Sequence, residues 1–161
     1  MTFTVATLIS AVKRHLSIIG KRLYTKDGKN LFSDITLSSA EDTQILTQYI
    51  YASAQDVESA LKQFITASSY DGTLGSITIT IANTRGDSDF QTRTTDLTQS
   101  YIILNSVGEY LSMVHPDLSQ KYQGDARQRM ESLVLYVNYK NPPTESASSY
   151  SDIHGTIQEN A

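Results

Sequence analysis

Val5, Leu8, Ile9, Val12, Leu16 and Ile19 recur at three- and four-residue spacing, which predicts an amphipathic helix from about Val5 to Ile19. Gly20 is a stop just past its end, and Lys21 and Arg22 place positive charge at its C-terminus. A second helix is predicted from about Ala40 to Ala67. Ser38-x-x-Glu41 fits a capping box, and Ile45, Leu46, Tyr49, Ile50, Val57, Ala60, Leu61, Phe64 and Ile65 keep helical spacing. Ala52 and Ala54 in its middle would let another helix approach closely. Between these two helices, Asp27-Gly28 is a turn signal in a connecting segment.

The pattern changes at Tyr70-Asp71-Gly72 and Gly75. Ser76-Ile77-Thr78-Ile79-Thr80-Ile81 alternates isoleucine with hydroxyl residues and predicts a strand with one apolar face. A polar turn from Asn83 to Asp89 could return the chain as a second strand, Phe90–Thr94, giving a hairpin over about residues 75–95. A lone hairpin is marginal in water, so Ile77, Ile79 and Ile81 need a cover. A helix or the strands of a neighbouring subunit could supply it, and the expectation is that the hairpin is an inter-subunit element. Leu97, Tyr101, Ile102, Leu104, Val107, Leu111 and Val114 predict a third helix, from about Thr95 to Val114, closed by His115-Pro116. A fourth is expected from Gly124-Asp125, with Met130, Leu133, Val134 and Val137 on its apolar side. The expected fold is mainly α: three to four helices in a small bundle, an inserted β-hairpin and an extended C-terminal tail. Residues 1–140 form the helical domain and 141–161 the tail.

The tail follows Pro142-Pro143, is rich in serine and acidic residues, and lacks Lys and Arg. Such a segment buries too little apolar surface to offset the entropy of ordering it. Tyr150, Ile153 and Ile157 are the residues expected to dock it on a neighbouring chain. The net charge of −4 is unevenly spread. Residues 1–30 carry six basic residues and one acid, residues 31–140 seven basic and thirteen acidic, and the tail three acids. Ends of opposite sign suit head-to-tail association. Lys13, Arg14, Lys21 and Arg22, with Lys26 and Lys29, are the candidates for contact with a subunit or with DNA. The general acidity of the chain favours the subunit.

No cysteine is present, so disulfides, thiolate catalysis and Cys-ligated metals are excluded. Lys13, Arg14 and His15 interrupt the first apolar stretch, which argues against a membrane span or a signal peptide there. His15, His115 and His154 lack metal-ligand spacing, and no phosphate-binding glycine loop occurs. Asp87 and Asp89 could hold a cation only loosely. Gly86-Asp87-Ser88 resembles the nucleophile block of GDSL-type hydrolases, with Asp152-x-His154 as the nearest acid–base pair. That pair is one residue too closely spaced and sits in the tail, so turn chemistry explains the motif better. No catalytic residue, cofactor or metal is therefore assigned.

Two stretches carry a resemblance: the acid-capped helix SSAEDTQILTQYIYASAQDVESALKQFI and the segment DARQRMESLVLYVNYKNPP. With the hairpin between them and the tail after them, they resemble the head–tail connector (adaptor) proteins of tailed bacteriophages. The resemblance implies a non-enzymatic virion protein, assembled in the host cytoplasm. It would form a homo-oligomeric ring, commonly twelve-fold, beneath the portal protein. Its partners would be the portal and a tail or neck protein, with non-specific DNA contact in the channel and no membrane. The competing expectation is a small helical scaffolding or regulatory protein that binds one partner through its tail.

Overall fold

The computed structural model describes residues 1–22, 40–72, 75–83 and 85–139. The chain runs β1 (Thr2–Thr4), α1 (Val5–Arg22), α2 (Ala40–Ala60), a 3₁₀ turn (Lys62–Phe64), β2 (Ile65–Asp71), β3 (Ser76–Ile81), α3 (Phe90–Val114) and α4 (Pro116–Asn138). It is a mainly α fold with an inserted β-hairpin. The tail and the connection over residues 23–39 lie outside the described residues.

α3 is the central element. Phe90, Thr94, Thr98, Tyr101, Ile102, Ser106, Val107, Tyr110 and Leu111 are all buried, more than one stripe of a helix. Helices hydrophobic on several sides are enclosed on several sides. Here α4 packs along one side of α3, and α1 and α2 pack against the rest. α1 buries Val5, Leu8, Val12, Leu16 and Ile19, the predicted stripe. α4 buries only a seam, Ser119, Ala126, Leu133 and Val137, which suits a helix with one principal partner.

The turn between α3 and α4 is a single residue. His115 is extended, at φ −146° and ψ 81°, as the residue before a proline must be, and Pro116 opens the next helix. α4 thus begins at Pro116 and not at Gly124. Gly124 is exposed within the helix, where its roughly 1 kcal/mol cost relative to alanine is borne by a helix of 23 residues. At the α3–α4 crossing, Gly108 has no room for a side chain. A Cβ there would lie 2.8 Å from Gln123 Cγ and 3.2 Å from the Gln123 backbone nitrogen. Ser119 Oγ donates to the Gly108 carbonyl at 2.9 Å and fixes the same crossing.

The sheet is antiparallel in the order β1-β3-β2. It departs from the sequence expectation in three ways. First, α2 stops at Ala60, and Ile65–Ala67, expected as its last residues, begin a strand, Ile65–Asp71, paired with β3. The apolar run Leu61, Phe64, Ile65 fits either state, and tertiary pairing with an otherwise unfilled edge of β3 decides it. Second, Phe90–Thr94 is not a strand but the first turn of α3, because Phe90, Thr94 and Thr98 recur every fourth residue and are buried together. The hairpin therefore spans Ile65–Ile81, not residues 75–95. Third, β1 pairs with β3, Thr2 opposite Thr78 and Phe3 opposite Ile77. Met1 N donates to the Ile79 carbonyl at 2.9 Å, and Ile79 N donates back to the Met1 carbonyl at 3.0 Å.

The apolar face of the hairpin is covered by the chain itself. Ile77 and Ile79 are 0% exposed, and Ile81 is half-buried against the same core. This corrects the expectation that a neighbouring subunit covers that face. Of the two alanines expected to admit a helix, Ala54 is fully buried while Ala52 is exposed. Beside Ala54, Ser53 Oγ donates to the Tyr49 carbonyl at 2.7 Å and receives Asn105 Nδ2 at 3.1 Å, so the polar groups at the α2–α3 contact are partnered.

The two helical glycines make opposite predictions. Gly124→Ala adds a methyl in open space and gains about 0.5–1 kcal/mol from helix propensity. Gly108→Ala gains the same propensity but loses about 1–3 kcal/mol to overpacking against Gln123, a net destabilisation. Urea midpoints of the two variants against the parent chain check both signs.

Candidate interaction surfaces

The most organised surface feature is built on Tyr136, near the end of α4. Its ring stacks on Phe90, the first residue of α3, at 5.8 Å between centroids and 22° between planes. The Arg85 guanidinium lies over the Tyr136 ring at 4.3 Å and over Tyr139 at 5.0 Å, and Arg93 lies over Tyr136 at 5.0 Å. Arg85 Nε also approaches Asp87 Oδ2 at 3.8 Å. Two cations gathered on one aromatic ring would repel; the ring quadrupole and the nearby carboxylates offset this.

The loop that presents Arg85 is ordered by its own sequence. Asn83 Oδ1 accepts from the backbone nitrogens of Arg85 (3.1 Å) and Gly86 (2.9 Å), and its Nδ2 donates to the Asp87 carbonyl at 3.1 Å. Gly86 sits at φ +66°, a conformation that suits glycine. The result is an open cleft of about 780 Å³ lined by Arg85, Asp87, Asp89, Arg93, Asp96 and Tyr139, among others. Three carboxylates against two guanidiniums leave it net negative.

Of the basic region, only the side chains of Lys13 and Arg14 are among the described ones. Lys13 is half-buried and donates to Thr43 Oγ1 at 3.1 Å, so it ties α1 to α2. Arg14 and His15 are exposed, and with Ser10, Ala11 and Ile18 they form a shallow concave patch on α1. Lys21 and Arg22 close the helix, but their side chains, like Lys26 and Lys29, lie outside the described residues. So do Tyr150, Ile153 and Ile157. Ser88 is an exposed residue of the Asn83–Asp89 turn, and its proposed partners Asp152 and His154 fall outside the description. Among the described residues, no group of three or more His, Asp or Glu side chains is placed to hold a metal ion. No described helix is long and apolar enough to cross a membrane.

Large apolar side chains are exposed at both ends of the α3–α4 hairpin. Met113 and Val114 lie at the His115 turn, and Leu135 (71% exposed) and Tyr139 (56%) at the far end of α4.

Two tyrosine–carboxylate pairs tie neighbouring elements together at the rim of the core. Tyr70 Oη donates to Glu58 Oε2 at 2.6 Å, and Ser68 Oγ donates to Glu58 Oε1 at 2.7 Å, joining β2 to α2. These bonds hold the Glu58 carboxyl below its ordinary pKa, the Tyr70 bond contributing most. Burial, and then the bond to Glu58, push the Tyr70 phenol well above its ordinary value. Tyr101 Oη donates to Asp56 Oδ2 at 3.1 Å, and burial followed by the Asp56 charge raises its phenol too. Tyr110 is raised chiefly by burial.

The Arg85–Tyr136 cluster was not apparent in the sequence. Its members come from a loop and two helices, and no short motif joins them. No family model matches the chain, and no curated protein or solved structure matches it either.

Tyr136→Leu removes the ring that seats both guanidiniums and costs about 1–3 kcal/mol, whereas Tyr136→Phe keeps the ring and costs under about 1 kcal/mol. Chemical denaturation of both variants gives the comparison. The raised phenols give a pH dependence. Below pH about 10 the tyrosines are protonated in both folded and unfolded chains, so their contribution is fully present. Above it the unfolded chain releases protons that the folded chain keeps, and stability falls as pH rises. Urea midpoints should drop from pH about 10 upward, and Tyr101→Phe should flatten that fall.

Proposed function

We propose that this protein is a non-enzymatic structural connector of a virion, assembling as a ring that joins a portal above to a tail or neck protein below. One observation carries the reading. A single stiff helical hairpin exposes apolar and aromatic side chains at its two opposite ends, Met113 and Val114 at one and Leu135 and Tyr139 at the other. α3 has 25 residues and is about 37 Å long, so the two surfaces lie at opposite ends of a long hairpin. Exposed apolar groups at separate sites favour separate partners, which is what a bridging subunit requires.

The resemblance to phage connectors supplies the class of partner. The packed α3–α4 pair supplies the stiffness such a part needs. DNA passing through the ring would meet a subunit of net charge −4, so contact with it would be confined to basic side chains such as Arg14.

Negative-stain imaging and native mass spectrometry of the full chain are expected to show closed rings, and antibody labelling of particles is expected to mark the junction of capsid and tail. Removal of residues 142–161 should leave the thermal transition unchanged and abolish attachment to particles. A chain absent from purified particles would overturn the assignment.

A further inference from the structure

We infer that the Asp-rimmed cleft at the Tyr136 end of one copy receives the Arg14 face of α1 from a second copy. The inference deepens the connector reading, on which it rests for a closed ring, by naming the two surfaces of the subunit contact.

Charge is the first argument. α1 (Val5–Arg22) contains no acidic residue, and its exposed face presents Arg14 and His15 beside Ile18, which is 43% exposed. Ser10 and Ala11 leave this face shallowly concave. The cleft presents Asp87, Asp89 and Asp96, the last two fully on the surface. Its own guanidiniums are laid on the Tyr136 ring, with Arg85 also beside Asp87, so the carboxylates of Asp89 and Asp96 dominate what an approaching cation meets.

Shape and polarity are the second. Tyr139, just past the end of α4, lines the cleft, Leu135 lies four residues before it, and both are more than half exposed. They offer an apolar shelf beside the carboxylates, and Ile18 lies one turn beyond Arg14 on α1. A contact with Arg14 on Asp96 would bring an apolar residue to an apolar shelf and a cation to an anion together.

The third is placement. The cleft belongs to α3, α4 and the loop before α3. The patch belongs to α1, which packs on α2, α3 and β1. The two surfaces lie on different elements and share no lining residue. A surface whose complement lies elsewhere on the same molecule makes a heterologous contact, which repeats from copy to copy and closes into a ring when the rotation permits.

The test is a charge swap in the full chain, read by sedimentation velocity at low salt. Arg14 and Asp96 are both exposed, and circular dichroism melts should confirm that each variant keeps its fold. Arg14→Glu alone and Asp96→Lys alone should each weaken self-association by about tenfold or more, because like charges then face each other. The double variant, and an equal mixture of the two single variants, should recover it, since each then restores opposite charges at every contact. Raising salt should weaken the parent assembly and narrow these differences. Rings that survive both single substitutions would overturn this contact and leave the connector reading standing. A parent chain that stays monomeric at every concentration and never joins particles would end both. Single-variant loss without recovery in the double variant or the mixture would also overturn the pairing.

Discussion

The close approach of α3 and α4 at Gly108 is the constraint on which the rest of the molecule depends. It requires a residue without a side chain on α3, a small hydroxyl, Ser119, to bind its buried carbonyl, and a turn short enough to hold both helices in that register. The His115-Pro116 junction supplies the turn. With the register set, Phe90 and Tyr136 must stack at the other end of the pair, and the Arg85 loop must close over them. The cleft is thus a remote consequence of a contact far along the helices.

The same packing divides the molecule by polarity. α3 is consumed by the core on several sides along its middle and is exposed mainly near its two ends. α4 gives up only a seam and keeps most of its circumference for solvent, including Leu135 and Tyr139. α1 gives up a regular stripe and keeps a face with cationic and small residues. Most of the exposed helical surface therefore falls on α1 and α4, while α3 shows only its two ends, at Arg93 and Asp96 and at Met113 and Val114.

The helices were largely legible from the chain because their buried residues are local and periodic. α1 is the clearest case: the five residues it buries lie on the predicted stripe. The failures share a different cause. Phe90-Gln91-Thr92-Arg93-Thr94 reads as a strand by its alternation and its β-branched threonines. In the structure Thr94 and Thr95 satisfy their hydroxyls on the carbonyls of Phe90 and Gln91 one turn back, and the segment is helical. Ile65–Asp71 carries no period-two pattern, since its residues are mostly exposed, and only the unpaired edge of β3 makes it a strand. The hairpin's isoleucines were correctly read as needing a cover, but the pattern of one strand cannot say whose helices provide it. The aromatic–guanidinium cluster was hidden for the same reason: Arg85, Arg93, Tyr136 and Tyr139 converge only after the long helices have paired.

The pairing of Thr2 with Thr78 has a bearing on the order in which the molecule is built. α3 and α4 are adjacent in sequence and joined by one residue, so their contact closes a very short loop and costs little chain entropy. β1 must instead find β3 across nearly half the chain, and closing a loop of that length is slow and entropically expensive. The three residues of β1 bring few bonds to offset it. The helical hairpin can therefore form early, and the N-terminal strand joins last, onto a sheet already backed by helices. Opening follows the reverse order. The amides of β1 should be the first of the sheet to exchange with solvent, while those of α3 wait for the whole molecule to unfold. The edge of β3 that β1 covers is then a seam: transiently bared, it can pair with another chain's strand before its own returns.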